Sequence, residues 1–303
     1  MTLSATTDLR RTWEAAAPGW ARWEPAYTEG FRAATEAMLD MAGVSPGMRV
    51  LDVACGAGSQ TLLAAARVGP AGRVVATDIA ASMLEHVQRN AAAAGLGNIA
   101  VRVAAADEVD TALPGDGPFD AAICRMALMH FPAPGQALQA ICRTLRPGAR
   151  FAALVFSTPA GNPMMAEPMA ILRRHAGKAP PPPGTPGIFA LGGDGVLEGL
   201  LRQEGFGAVE VRRLPAGLSF ASAVEALAML REAAGAYRAV AAELDETTRD
   251  RAWQEVEKAL SRHVTPRGFE ARLEVIVGAG TVPGLHRAPG LSRGARRGAM
   301  RGD

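Results

Sequence analysis

The sequence predicts an α/β protein whose core is a doubly wound, mostly parallel β-sheet with helices on both faces. Short apolar segments alternate along the chain with Ala- and Leu-rich segments of helical composition. Breaks such as Gly69-Pro70 and Pro147-Gly148 keep the connections short. Because such connections join parallel strands through helices, both faces of the sheet are covered, and ligands bind beyond the carboxyl ends of the strands.

Seven segments are predicted as strands, because each is short, apolar and rich in Val, Ile, Leu or Ala. They are residues 49–54, 73–77, 99–103, 119–124, 150–156, 208–214 and 272–277. Helices are predicted between them, and Gly95 is a typical helix stop. These helices are residues 60–68, 82–94, 134–145 and 195–204.

The remaining segments are predicted to lie outside the core sheet, as a lid, a loop and a helical insertion. Residues 8–42 have the composition of two helices and contain Trp13, Trp20, Trp23 and Tyr27, which indicates a helical lid. Residues 180–187 are rich in proline and glycine and predict a stiff loop. The predicted regions are a lid (1–42), a core (43–157), a lid loop with the rest of the core (158–220), a helical insertion (221–266), the last strand (267–282) and a disordered basic tail (283–303).

Charge and composition restrict the partners of this chain. The net charge is +2, but residues 287–303 carry a net +4, so the rest of the chain sums to −2 and does not attract nucleic acid broadly. No apolar run approaches the roughly 18 residues of a membrane span, and no secretory signal is visible at the N-terminus. Three cysteines without metal-binding spacing predict a cytoplasmic protein. Monomer and homodimer both stay open.

The first predicted strand continues into a glycine turn, Val50–Gly58. Such a turn lets a ligand approach the backbone beside helix-terminal N–H groups, as in dinucleotide sites. The dinucleotide fingerprint needs a third glycine at position 61, where this chain has Thr61. Asp52 would repel a pyrophosphate but would favour the ammonium and sulfonium charges of S-adenosylmethionine (SAM), directly or through water. The turn therefore favours SAM over NAD.

Two further acids follow the next two strands. Asp78 ends the second strand, where a carboxylate accepts hydrogen bonds from ribose hydroxyls in either cofactor class. Asp107 follows the third strand, where it suits an acceptor for an adenine amino group. Acids at the ends of three successive strands predict one cofactor site at this edge of the sheet.

These motifs together resemble the class I SAM-dependent methyltransferases. The resemblance rests on VLDVACGAG, then Asp78, AAADE, PFDAAICRMALMHF and LRPGARF, and it covers roughly residues 12–280. Among these enzymes, the chain looks most similar to the group related to the ubiquinone and menaquinone C-methyltransferases. The resemblance implies a Rossmann-like sheet, SAM as cofactor and S-adenosylhomocysteine as its product.

The resemblance also implies a role for each residue of the cofactor site. The turn wraps the methionine part, Asp78 holds the ribose, two apolar residues flank the adenine, the segment around Asp107 takes the adenine amino group, and Arg125 lies near the transfer centre. The implied cofactor residues are Asp52, Ala54, Cys55, Gly56, Gly58, Asp78, Ile79, Met83, Ala106, Asp107, Glu108 and Arg125. Ala54 departs from the family, which usually has glycine there, and its extra methyl is expected to leave binding intact.

The segment after the fourth strand narrows the chemistry. Cys124–Ala127 lacks the Asn/Asp-Pro-Pro-aromatic motif of enzymes that methylate amino groups of nucleic acid, and it lacks the acids of a metal site. We therefore expect no metal. His130, six residues past this strand, is the candidate general base, and a buried loop histidine bonded to the backbone is the alternative.

The acceptor is expected to be a small, largely apolar molecule of aromatic, quinone-like or polyketide type. Residues of the lid and of the loops after the fourth and fifth strands are candidates for its pocket, although aromatic and methionine side chains also serve as plain core. The candidates are Trp20, Tyr27, Met129 and Met165. A second hypothesis is a SAM-binding protein of the same fold that binds a ligand or catalyses a rearrangement without methylating.

Overall fold

The computed structural model describes residues 3–182 and 184–284. The predicted basic tail, apart from residues 283 and 284, lies outside the described residues. The strands are β1 (Arg49–Val53), β2 (Arg73–Asp78), β3 (Ile99–Val103), β4 (Phe119–Arg125), β5 (Leu145–Phe156), β6 (Gly207–Phe220), β7 (Val264–Thr265) and β8 (Gly268–Thr281).

The strands form one sheet in the order β3-β2-β1-β4-β5-β8-β6. The first five strands of this order run parallel, and β8 is antiparallel to both β5 and β6. The predicted doubly wound, mostly parallel sheet is thereby confirmed, with β7 as an eighth strand of two residues beside β8. The chain passes from β1 through β2 to β3 on one side of β1 and then returns to form β4 on the other side, so a crevice opens between the carboxyl ends of β1 and β4.

Helices cover the sheet and extend over the carboxyl ends of its strands. They are α1 (Leu3–Gly30), α2 (Arg32–Met41), α3 (Ser59–Val68), α4 (Ala81–Ala93), α5 (Val109–Ala112), α6 (Pro134–Thr144), α7 (Pro163–His175), α8 (Val196–Gln203), α9 (Ala223–Ala233), α10 (Gly235–Ala242) and α11 (Glu246–Leu260). Among the helices of the described residues, none is long and apolar enough to cross a bilayer.

One predicted loop differs from the sequence-based expectation. The segment predicted as a lid loop contains helix α7, which begins with Pro163 at its first position and tolerates Pro168 inside. A proline fits the first turn because its missing N–H has no helical partner there, whereas an internal proline usually argues against a helix. The predicted helical insertion holds three helices, α9 to α11, within the described residues.

The antiparallel strands β6 and β8 are also longer than predicted. They pair with each other from Gly207–Thr281 to Phe220–Phe269, well beyond the end of the parallel sheet. Helix α1 lies against this extension, and a Cβ added at Gly30 would stand 1.8 Å from the carbonyl oxygen of Gly217. The extension therefore forms a platform on which the N-terminal helix and the insertion pack beside the crevice.

Candidate functional site

The carboxyl ends of β1, β2 and β4 open into a first cavity of about 930 Å³. Nine of the twelve predicted cofactor residues line it, because the parallel register brings these strand ends to one edge of the sheet. The nine are Ala54, Cys55, Gly56, Asp78, Ile79, Met83, Ala106, Asp107 and Arg125. We call this space the cofactor cavity.

Asp52 does not line the cofactor cavity. Its carboxylate is fully buried and accepts hydrogen bonds from the Thr61 hydroxyl at 2.6 Å and from Gln60 Nε2 at 3.3 Å. Burial raises the pKa of Asp52 to about 7, although both hydrogen bonds act against this rise. Asp52 therefore lies behind the wall of the cavity, where Thr61, at the position of the missing third glycine, holds its carboxylate. The expected action of Asp52 on a cationic cofactor, directly or through water, stays a prediction.

Gln60 lies where Asp52 was expected. Its side chain lines the cofactor cavity, and Nε2 donates to the Cys55 carbonyl at 2.9 Å as well as to Asp52. The remaining atom, Gln60 Oε1, is buried and has no hydrogen-bond partner among the described residues. A buried acceptor left unpaired is costly, so it needs a donor from a ligand or a water. Sequence reasoning missed this residue, although it is the one amide in the first turn of an apolar helix.

Gly58 and Glu108 also lie outside the lining of the cofactor cavity. Gly58 precedes helix α3 with φ of 96°, and a Cβ there would lie 2.9 Å from a methyl carbon of Val87. This glycine therefore serves the turn and the close packing of α3 on α4. The Glu108 side chain is exposed to solvent, while Ala106 and Asp107 of the same 3₁₀ turn face the cavity.

Ala54 occupies a left-handed backbone conformation. Its φ of 54° belongs to the region that favours glycine, and the side chain lines the cofactor cavity. An L-residue with a Cβ costs roughly 1–2 kcal/mol in this region. The departure from the family's usual glycine therefore places backbone strain beside the predicted methionine end of the cofactor.

Asp78 is the central carboxylate of the cofactor cavity. Its Oδ2 accepts from the Gly56 N–H at 3.0 Å and its Oδ1 accepts from the Ala80 N–H at 2.9 Å. Each carboxylate oxygen has two lone pairs, so each retains one site for a ligand hydroxyl. Burial raises the pKa of Asp78 to about 6 against these backbone hydrogen bonds.

Arg125 is the last residue of β4, and its side chain is buried among polar groups of α1, α2 and α3. Its guanidinium donates to the Thr35 hydroxyl at 3.4 Å and to the Ser59 hydroxyl. Burial lowers the pKa of Arg125, while the nearby Glu24 carboxylate raises it. The side chain reaches the cofactor cavity from the junction of α1, α2 and α3.

Carboxylates of α1 attach the N-terminal helix to the core. Glu14 accepts from the backbone N–H of Ala81 at 2.7 Å and caps the start of α4, and Glu24 accepts from the Ser59 N–H at 2.7 Å at the start of α3. A carboxylate at a helix N-terminus pairs an orphan N–H and opposes the positive end of the helix dipole. Neither cap was predicted, because nothing local in the sequence pairs residues so far apart.

A second cavity of about 860 Å³ lies at the ends of β4 and β5, where α1 and α10 also line it. All four predicted acceptor-pocket residues, Trp20, Tyr27, Met129 and Met165, line it, and no Asp, Glu, Lys or Arg is among its described lining residues. We call it the apolar cavity. It shares five lining residues with the cofactor cavity, and they are Leu9, Trp13, Trp20, Met126 and His130.

His130 lies in this shared wall. Burial lowers the pKa of its imidazole to about 4, so the ring is neutral at neutral pH. Its ring centroid is 5.6 Å from that of Trp13, at an interplanar angle of 71°. Within the described part of the chain, the imidazole has no hydrogen-bond partner, so it does not form the backbone bond of the structural alternative. A neutral imidazole facing both cavities is available to take a proton.

The comparisons with known proteins agree with this geometry. A family model described as "Methyltransferase domain" matches residues 44–174. Nocamycin O-methyltransferase from Saccharothrix syringae is 33% identical over 216 residues, covering 66% of this chain and 73% of that protein. The ubiquinone/menaquinone biosynthesis C-methyltransferase UbiE from Ectopseudomonas mendocina is 38% identical over 130 residues, covering 43% of this chain and 49% of its own length. The chain thus spans about half of the latter relative.

Among solved structures, the cyclase SpnF shares the fold with a TM-score of 0.55 over 92% of this chain and 97% of that one, at 17% identity. This likeness concerns the fold, whereas the family match and the nocamycin relative concern the sequence itself. The family predicted from the motifs is confirmed. The chain belongs to the SAM-dependent methyltransferases.

Proposed function

We propose that this protein transfers a methyl group from SAM to a small, uncharged and largely apolar acceptor bound in the apolar cavity. The observation that carries the proposal is the pair of adjoining cavities with one shared wall. One cavity carries the acids expected for a SAM site, and the other offers aromatic and methionine side chains without a charged group. A charged acceptor would lose its hydration there without gaining a partner.

The residues of the cofactor cavity fit SAM. Gln60 Oε1 would accept a hydrogen bond from the ammonium group of SAM, and the remaining lone pairs of Asp78 would accept hydrogen bonds from its ribose hydroxyls. Asp107 and the Ala106 backbone would bind the adenine amino group, and Ile79 and Met83, which line the same cavity, would flank the ring. Bound SAM supplies an already activated methyl group, so the protein chiefly positions the acceptor.

His130 is proposed as the general base. Its imidazole faces both cavities and is neutral above about pH 4, so it can take a proton from a phenol or enol acceptor. A base of such low pKa is weak, and it works best where the acceptor proton is itself acidic. The covering helix excludes water, which protects the transfer from competing hydrolysis.

The relatives support an acceptor of this type. One is named for O-methylation of nocamycin and another for C-methylation in quinone biosynthesis. Quinone-like and polyketide acceptors are both small, largely apolar molecules that can carry ionisable hydroxyl or enol groups. We propose a cytoplasmic enzyme, an assignment that the three free cysteines support.

The second candidate is a protein that binds SAM without methylating, since an uncharged cavity also suits ligand binding or a rearrangement. The test incubates the protein with methyl-labelled SAM and a library of phenolic, quinol, polyketide, amine and carboxylate acceptors. We expect S-adenosylhomocysteine and labelled product with acceptors of the first three classes, and less of both at subsaturating SAM with Asp78→Ala, the control with weakened cofactor binding. Tight binding of S-adenosylhomocysteine without turnover on any acceptor would favour the second candidate.

A further inference from the structure

One aromatic residue of the N-terminal helix covers His130. Trp13 lines both the cofactor cavity and the apolar cavity, and its ring stands edge-on to the imidazole. We propose that Trp13 is a positioning residue that covers His130 from the lid helix and keeps its imidazole dry and correctly oriented in the wall between the two cavities. This inference rests on the proposed function, in which His130 is the base.

The position of Trp13 is fixed from both sides. Its ring packs edge-on against Trp20 with centroids 6.4 Å apart, and both rings lie on the buried cluster that includes Ala80 and Met83. Trp20 in turn stacks on Tyr27 at 4.9 Å. Edge-to-face contacts are directional, so the contact with Trp20 sets the plane of the Trp13 ring and with it the angle at which this ring meets His130.

The neighbouring residue anchors the helix at this point. Glu14 accepts hydrogen bonds from the backbone of Ala81 and from the Ser82 hydroxyl, and the latter bond holds the pKa of Glu14 below its ordinary value. Because Glu14 follows Trp13 directly, the cap on α4 fixes the distance between the Trp13 ring and the sheet edge. Two adjacent residues of the N-terminal helix therefore have different roles, since Glu14 attaches the helix to α4 and Trp13 packs on His130.

The cover has a chemical consequence at the imidazole. The titratable and charged groups that share cavities with His130 are Cys55, Asp78, Asp107 and Arg125 on the cofactor side and the phenols of Tyr27 and Tyr237 on the apolar side. Burial, and not one of these charges, is the cause of the low imidazole pKa. Removal of the Trp13 ring opens a path for water, and hydration of the imidazolium then raises the pKa of His130 towards its ordinary value.

The experiment titrates the histidines by NMR in the full chain without added ligand, because saturation with S-adenosylhomocysteine would be lost at the low pH at which His130 titrates. His130→Gln identifies the resonance by its disappearance. In Trp13→Ala we expect the His130 pKa to rise by about one unit or more from its wild-type value, and in Trp13→Phe, which keeps a ring, to stay within about half a unit. Trp23→Ala is the matched control, because Trp23 is on the same helix and lines neither cavity.

Two results would overturn the proposal. An unchanged His130 pKa in Trp13→Ala would show that the ring does not keep the imidazole dry. An equal rise in Trp23→Ala would show that loosening of the whole helix, and not the Trp13 ring, controls hydration. Binding of S-adenosylhomocysteine by each variant shows that it is folded. Because the titration needs no acceptor, its outcome is separate from that of the methylation test.

Discussion

Replacement of Asp78 gives the sharpest test of the cofactor site. Asp78→Ala removes the carboxylate, while Asp78→Asn keeps its shape and one oxygen but removes the charge. In the structure, each carboxylate oxygen already accepts one backbone N–H, from Gly56 or from Ala80. The alanine variant therefore leaves two backbone N–H groups unpaired and also removes both sites offered to the ligand. Comparison with the asparagine variant separates the loss of ligand contacts from the loss of support for the turn.

The expected magnitude follows from these bonds. Loss of charge-assisted hydrogen bonds costs about 1–3 kcal/mol, which corresponds to roughly 5- to 150-fold weaker binding of S-adenosylhomocysteine to Asp78→Ala. Charge-assisted bonds are about twice as strong as neutral ones, so Asp78→Asn is expected to lose roughly half of that free energy. NAD should show no detectable binding to the wild-type protein.

Binding should also depend on pH through this carboxyl group. Its pKa of about 6 in the free protein lies above the ordinary 3.8, so the free protein holds the proton more tightly than the unfolded chain does. The stability this contributes is present below pH 3.8 and is lost as the pH rises through about 6. The ligand hydroxyls prefer the ionised form, so affinity is expected to fall about tenfold per pH unit below 6.

Calorimetry with S-adenosylhomocysteine at pH 5 and pH 7.5 measures the loss of affinity in each variant and the dependence of affinity on pH. Asp78→Asn should bind with nearly equal affinity at the two values, because the titrating group is gone. Asp52 has a pKa of about 7 and also titrates here, so Asp52→Asn serves as the control that keeps the dependence near pH 6. Binding of NAD without S-adenosylhomocysteine, or an equal loss of affinity at pH 5 in Asp78→Asn, would refute the reasoning.

Three further predictions concern the base, the strained turn and the lid. His130→Ala should lower turnover by about 10²–10⁴-fold with cofactor affinity nearly unchanged, and turnover within a few-fold of wild type would end the role of base. Because burial holds the His130 pKa to about 4, wild-type turnover should not fall through this group until the pH approaches that value. Ala54→Gly should relieve up to about 1 kcal/mol of backbone strain and raise the melting temperature by roughly 2–4 °C, and a lower melting temperature would contradict the strain. Saturation with S-adenosylhomocysteine should slow amide exchange in residues 8–42 and 158–187, whereas unchanged exchange in both would exclude closure of the lid.

The sheet and the outline of the cofactor site could be predicted because both depend on local patterns. Apolar runs separated by glycine and proline specify the order of strands and helices, and the acids Asp78 and Asp107 follow strands that a parallel sheet brings to one edge. The Gly56 turn is likewise local, since a positive φ at this position is a property of the residue itself. These features require no knowledge of which distant segments meet.

The orientation of side chains required the tertiary structure. Asp52 lies in β1, as predicted, but its carboxylate accepts a hydrogen bond from Thr61, and Gln60 lines the cofactor cavity instead. Helix α7 forms despite Pro168 because it packs on α11, a contact that no local propensity encodes. In both cases the deciding partner is set by packing and not by sequence neighbours.

The sequence by itself determined the family, the cofactor class and the candidates for the acceptor pocket. Only the tertiary structure showed that those candidates surround one uncharged cavity, that this cavity shares a wall with the cofactor cavity, and that Glu14 and Glu24 attach the N-terminal helix above both. The physical reason is that motifs report backbone conformation and charge at neighbouring positions. A cavity and its cover arise where segments far apart in the chain exclude water together.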